Sequence, residues 1–169
     1  MKMEEDVSAE KLFFLLKKIS LTLTPQLEEH LKTGDMSGVQ VYFLVYILRH
    51  HPKGTYLTEL CRESGMSKST LSALIKKLRE KGYLYFQENP EDIRKKEVLP
   101  TEKLLEEGKE FVRQAGRMET EICGTLDQKE KEQLWDLGQK LLTKVEHSEK
   151  NTDRRIYYRE ESFTTAQTV

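Results

Sequence analysis

Cysteine is scarce: the chain has two, Cys61 and Cys123. That is too few for a disulfide framework, and a reduced, cytoplasmic protein is the expectation that follows. Four prolines and nine glycines in 169 residues leave long stretches uninterrupted and open to helix. No apolar run approaches the roughly 18 residues that span a bilayer, so no membrane partner is expected. The opening MKMEEDVSAE is acidic and lacks an apolar core before a small-residue cleavage site, so no secretory leader is expected. An excess of one charge sign is also missing, with a net charge of −1. The chain as a whole therefore does not advertise a polyanion as its partner.

What is present is charge, at 34% Asp, Glu, Lys and Arg, and it is unevenly placed. From Ser67 to Lys96 there are eight Lys and Arg against four Asp and Glu, a net +4. From Thr101 to Lys150 there are nine against twelve, a net −3. A basic centre between acidic flanks suits a polyanion bound through one face. A run of solvated helix charges would look similar.

Leu12, Leu16, Ile19 and Leu23 recur at helical spacing, and Leu27 and Leu31 continue the stripe beyond Pro25. A proline removes an amide donor and crowds the preceding turn, so a kink or break is expected at Thr24-Pro25. Ser37-Gly38-Val39-Gln40 has capping-box form, and the apolar VYFLVYILRH after it predicts a central helix that Pro52 and Gly54 stop. Thr58 is placed to cap a short helix over Glu59–Ser64. Gly65 can take a left-handed turn, and Ser67 can cap a longer helix that Gly82 ends. YLYFQ (Tyr83–Gln87) and Lys95–Leu99 predict a two-stranded hairpin with turn chemistry from Glu88 to Arg94. Pro100 closes it, Thr101 caps a long helix, and Asp127 caps a last one bearing Leu126, Leu134, Leu137, Leu141 and Val145.

The segment ELCRESGMSKSTLSALIKKLREKGYL is where function concentrates. Two helices meeting at a glycine turn let one brace the other in a major groove. Leu60, Met66, Leu71, Leu74, Ile75 and Leu78 can hold the pair to the body, and at about 100° per residue Ser69, Ser72, Ala73 and Lys76 point away from them. Small polar groups suit close approach to base edges, and the Ala73 methyl suits a thymine methyl. Lys68, Lys76 and Lys77 can neutralise phosphates. Arg94, Lys95 and Lys96 fall near the hairpin tip, where an arginine can enter a narrow minor groove. Asp92 is spaced to orient the Arg94 guanidinium. The bland alternatives are an amphipathic helix with solvated lysines and an ordinary surface hairpin.

With those residues in view, the chain resembles the MarR family of winged helix-turn-helix regulators. GMSKSTLSALIKKLREKGYL is similar to the family's recognition helix, and NPEDIRKKEVLPTEKL to its wing, with Asp92-x-Arg94 and the Thr-Glu-Lys that opens the next helix. Ala73, Lys76, Pro100 and Leu104 depart from the family pattern, the first two on the base-facing surface. The resemblance implies a mainly α fold with a small β-hairpin wing, a winged helix-turn-helix on a helical dimerisation frame. The expected parts are an N-terminal dimerisation helix (1–36), a DNA-binding lobe (37–100), C-terminal dimerisation helices (101–147) and a flexible tail (148–169). Expected DNA contacts are Ser67, Lys68, Ser69, Thr70, Ser72, Ala73, Lys76, Lys77, Asp92, Arg94, Lys95 and Lys96. The implied partners are a pseudo-palindromic duplex operator, a second copy of the chain and a small aromatic effector, in a regulator that represses.

The residues permit a dimer independently, because the stripes at the two ends of the chain have no obvious internal partner. They can also pack on each other in a monomer. Phe13, Phe14, Tyr42, Phe43 and Tyr46 are the candidate effector pocket, or plain core, and the four-residue spacing of Tyr42 and Tyr46 would let their hydroxyls share one site. A redox switch at Cys61 is a second regulatory reading beside a structural thiol. A winged-helix module for protein contacts is a third. No His or Cys spacing matches a metal motif, and no cofactor is expected. No nucleophile elbow, phosphate loop or HExxH appears, so no enzyme is expected. The tail run RRIYYRE mixes basic and aromatic residues that can meet nucleic acid or a partner subunit, although a disordered end is the simpler reading.

Overall fold

The computed structural model describes residues 6–164, with side chains described as far as Ser148. Its elements are α1 (Ala9–Leu31), α2 (Gly38–His50), β1 (Thr55–Tyr56), α3 (Leu57–Ser64), α4 (Lys68–Glu80), β2 (Leu84–Asn89), β3 (Asp92–Pro100), α5 (Glu102–Cys123) and α6 (Gln128–Thr164). The chain divides into two compact units, the first ending at Glu119 and the second beginning at Thr120. Over the stretch expected as a tail, 148–169, the backbone of α6 continues to Thr164, while side chains beyond Ser148 and residues 165–169 lie outside the described residues. No described helix is long and apolar enough to cross a membrane.

In the first unit the helix starts follow local chemistry. Ser8 and Ser37 cap α1 and α2 by accepting from the amides of Lys11 and Gln40, and Gln40 returns the bond to the Ser37 amide. Contrary to expectation, α1 runs unbroken through Pro25. Its last turns are held from outside: Leu31 is fully buried, and the Glu28 carboxylate accepts from the Gly38 amide at 2.8 Å. At Gly38 the two helices come so close that an added Cβ would collide with the Leu27 carbonyl. That docking outweighs the roughly 3 kcal/mol a helix-interior proline can cost.

α3 begins at Leu57, earlier than expected. Its cap residue is Tyr56, without a side-chain bond, and Thr58 is exposed on the helix. The sheet has three antiparallel strands, in the order β1-β3-β2. The hairpin was expected, but the two-residue β1 was not, since two residues carry no period. Thr55 pairs with Val98 and Tyr56 with Glu97. The return strand also starts earlier than expected, at Asp92, because Asn89 pairs with Asp92 across a tight end next to a bulge. Leu44, Ile47, Leu60, Leu71, Ile75, Leu78, Val98 and Leu104 are almost fully buried together, so α2 to α5 and the sheet share one core.

In the second unit, the Asp127 carboxylate accepts from the Glu130 amide at 2.9 Å, and the Glu130 carboxylate accepts from the Asp127 amide at 2.8 Å. This capping box starts α6 at the expected place. The helix carries Leu134, Trp135, Leu137, Leu141, Leu142 and Val145 on its exposed surface.

Candidate nucleic-acid interface

Local rules build the helix-turn-helix. Gly65 ends α3 at φ 70°, a left-handed conformation that costs a residue with a Cβ more. Two residues later Ser67 caps α4, accepting from the Thr70 amide at 3.2 Å and donating to Thr70 Oγ1 at 2.8 Å. Leu71, Ile75 and Leu78 bury one face of α4. The opposite face carries Ser69, Ser72, Ala73 and Lys76, all exposed, with Lys68, Thr70 and Lys77 exposed beside them. This is the outward set that helical periodicity predicts. Ser67 is also exposed, but its hydroxyl is engaged in the cap.

On the wing, Arg94, Lys95 and Lys96 are exposed and Asp92 is half-buried. Asp92 does not grip the Arg94 guanidinium as expected. Its carboxylate accepts from the Arg94 backbone amide at 3.0 Å, shaping the turn. An aspartate two residues before an amide meets it locally at little entropic cost, whereas a long guanidinium must be ordered first.

A contact absent from the expected set joins the two elements. The Phe86 ring of β2 carries the Arg79 guanidinium 4.0 Å from its centroid and the Lys96 ammonium at 5.7 Å. Arg79 lies in the last turn of α4 and Lys96 on the wing. One aromatic ring thus attracts a cation from each arm of the basic surface. The sequence signal was the aromatic inside YLYFQ, which reads as strand filler without its partners.

The lobe is also tied to α5. The Tyr83 hydroxyl donates to Glu107 at 2.6 Å, and Lys103 lies 4.4 Å over its ring. Burial first, then the bond to Glu107, pushes the Tyr83 hydroxyl up to about 12. Thr101 caps α5 as expected, accepting from the Leu104 amide, and donates to the Gly82 carbonyl at 2.6 Å.

The five candidate effector aromatics have different surroundings. Phe13 and Phe14 are 69% and 62% exposed on α1, while Phe43 is core. Tyr42 donates to Glu119 of α5 at 3.0 Å and Tyr46 to Glu63 of α3 at 2.5 Å. Their hydroxyls therefore do not share one site, because carboxylates on different helices draw them apart. A groove of about 360 Å³ between α2 and α5 is lined by Leu48, Leu105, Gly108, Lys109 and Val112, and by none of the five. Cys61 is half-buried and Cys123 exposed, both free thiols.

His51, Glu59 and Glu63 come together although no metal motif was legible. Their ligand-type atoms lie within 4.8 Å of one another. The Glu63 carboxyl is held below its usual range, chiefly by the Tyr46 hydroxyl and then by His51. Burial, followed by Glu63, pushes Tyr46 up to about 12.

Residues 34–95 match the model of the MarR family. No curated protein matches the chain. Among solved structures, the S. aureus MepR–DNA complex is 22% identical with a TM-score of 0.70, covering 79% of this chain and 97% of that one. A MarR protein from Peptoclostridium difficile is 22% identical at 0.71, covering 88% and 95%. Bordetella bronchiseptica BpsR, whose DNA binding is regulated by 6-hydroxynicotinic acid, is 18% identical at 0.66, covering 78% and 98%. The fold is therefore a MarR-type winged helix, mainly helical with a small three-stranded sheet.

Proposed function

Since the chain carries the MarR-family winged-helix fold, we propose that it is a sequence-specific, dimeric, cytoplasmic regulator of transcription without catalytic activity. The observation that carries this is the shared basic surface: Phe86 holds Arg79 of α4 and Lys96 of the wing on one ring. α4 offers Ser69, Ser72, Ala73 and Lys76 to base edges in the major groove. Lys68, Lys76, Lys77, Lys95 and Lys96 meet phosphates, and Arg94 enters the minor groove. The S. aureus relative is seen bound to DNA, which supports the same use here.

Two copies would read a pseudo-palindrome, with half-sites about one helical turn apart. The exposed stripe Leu12, Leu16, Ile19 and Leu23 of α1, and the exposed Leu134, Leu137 and Leu141 of α6, support a dimer frame. Apolar surface on this scale is an unusual thing to leave in water. The regulator acts as a repressor that a small aromatic effector releases. The effector-controlled Bordetella relative supports that reading.

Selection of bound duplexes from a random pool tests the proposal. Enrichment of an inverted repeat is the expected result. A pool that stays random at low salt would overturn it and favour a protein-contact role for the wing.

A further inference from the structure

We propose that His51, Glu59 and Glu63 form a binding site for one divalent transition-metal ion where the end of α2 meets α3. The three residues offer one imidazole nitrogen and two carboxylates, with all ligand atoms within 4.8 Å of one another. Glu59 and Glu63 are four apart on α3 and so share a face. His51 arrives from the other side as the cap residue of α2, its amide bound to the Ile47 carbonyl. The ligand set therefore joins α3 to the residue that caps the end of α2.

Each carboxylate also has a hydroxyl donor from another element. Tyr46 of α2 donates to Glu63 Oε2 at 2.5 Å, and the almost fully buried Thr55 of β1 donates to Glu59 Oε2 at 3.2 Å. Donors of this kind fix carboxylate ligands in metal sites. His51 Nε2 lies 2.7 Å from Glu63 Oε2, so the imidazole and this carboxylate already face one another. Zinc-type bonds of about 2.0–2.2 Å hold ligand atoms no more than about 4.4 Å apart. Atoms within 4.8 Å of one another therefore need close by a few tenths of an ångström at most, within reach of a small carboxylate rotation.

The donor set selects the ion. Three protein ligands are few for calcium, which takes six to eight oxygens, and magnesium prefers oxygen and its own water. One imidazole with two carboxylates suits zinc and its first-row neighbours, with the fourth position left to solvent. When bound, the ion would staple α3 to the end of α2. This assignment does not depend on DNA binding.

The test is titration of the full chain with Co²⁺, followed by visible absorption, then displacement by Zn²⁺ followed by calorimetry. One equivalent per chain is expected. His51→Gln and Glu63→Gln should each remove it, with folding checked by circular dichroism. Tyr46→Phe keeps all three ligands and should weaken binding about tenfold, as loss of such a supporting bond does. His50→Ala should bind as the unaltered chain does. Zn²⁺ should raise the Tm of the unaltered chain and not that of His51→Gln. No saturable Co²⁺ signal, a signal that survives His51→Gln, or one lost in His50→Ala would each overturn the assignment.

Discussion

The Arg79 guanidinium lies 4.0 Å above the centroid of the Phe86 ring, joining the last turn of α4 to the wing. A cation over an aromatic face contributes about 0.5–2 kcal/mol, depending on desolvation. Phe86→Leu keeps an apolar side chain but removes the π face from both Arg79 and Lys96. It should weaken duplex binding about 3- to 10-fold, within that energy range, while Phe86→Tyr stays close to the unaltered chain. Fluorescence anisotropy on a selected operator reads both. Equal affinity for Phe86→Leu would mean the ring does not set the wing.

Arg94→Ala and Ser72→Ala should separate positioning from reading. Loss of a cation at the wing should weaken binding to every duplex and lower the slope of log affinity against log salt by about 1. Ser72→Ala should leave that slope alone and shift base preference in one half-site position. If the two variants behave alike, the assignment of helix to major groove and wing to minor groove is wrong.

Gly38 and Gly108 should respond differently to alanine. At Gly38 the added Cβ runs into the rigid Leu27 carbonyl, and at Gly108 into the movable end of Leu48. Overpacking costs about 1–3 kcal/mol, and a chain of this size loses about 2–4 °C of Tm per kcal/mol. Gly38→Ala should fall at the costly end and Gly108→Ala near zero in a thermal melt. A larger drop for Gly108→Ala would contradict the backbone argument.

The Tyr46–Glu63–His51 cluster should make the lobe sensitive to acid. The folded Glu63 carboxyl sits below its ordinary 4.5. Its stabilisation is therefore complete above that value and is lost as pH falls through the lower folded one. Tyr46 and Tyr83 are pushed up to about 12, so both stay protonated at pH values where an ordinary tyrosine ionises. Melts from pH 6 to pH 3 should show a shallower acid loss for Glu63→Gln than for the unaltered chain. Parallel curves would remove the linkage.

Ile19→Glu places a charge in the exposed α1 stripe, where Ile19 is 46% exposed. Light scattering after size exclusion should give a dimer for the unaltered chain and a monomer for this variant. A dimer in both would move the interface off α1.

Much of the lobe was legible because its signals are local. Gly65, Ser67, the Ser37/Gln40 box and Asp127 each act within about four residues, and the bonds they make are the ones their spacing predicts. Periodicity alone also sorted α4 into buried Leu71, Ile75 and Leu78 and exposed Ser69, Ser72, Ala73 and Lys76. At Asp92 local reasoning chose the wrong donor of the right residue, the guanidinium in place of the amide.

What lay beyond the sequence depends on contacts between distant segments. Pro25 stays inside α1 because Gly38 and Glu28 bring α2 against it. The two residues of β1 become a strand because β3 offers an open edge. Arg79, Phe86 and Lys96 meet, and so do His51, Glu59 and Glu63, because the chain turns back on itself between them. The sequence by itself determined the caps at Ser37, Ser67 and Asp127, the turn at Gly65 and which face of α4 looks outward, since those follow from backbone geometry within a few residues. Which side chains meet across elements was decided by the tertiary structure, since partners far apart in the chain share no spacing that betrays them.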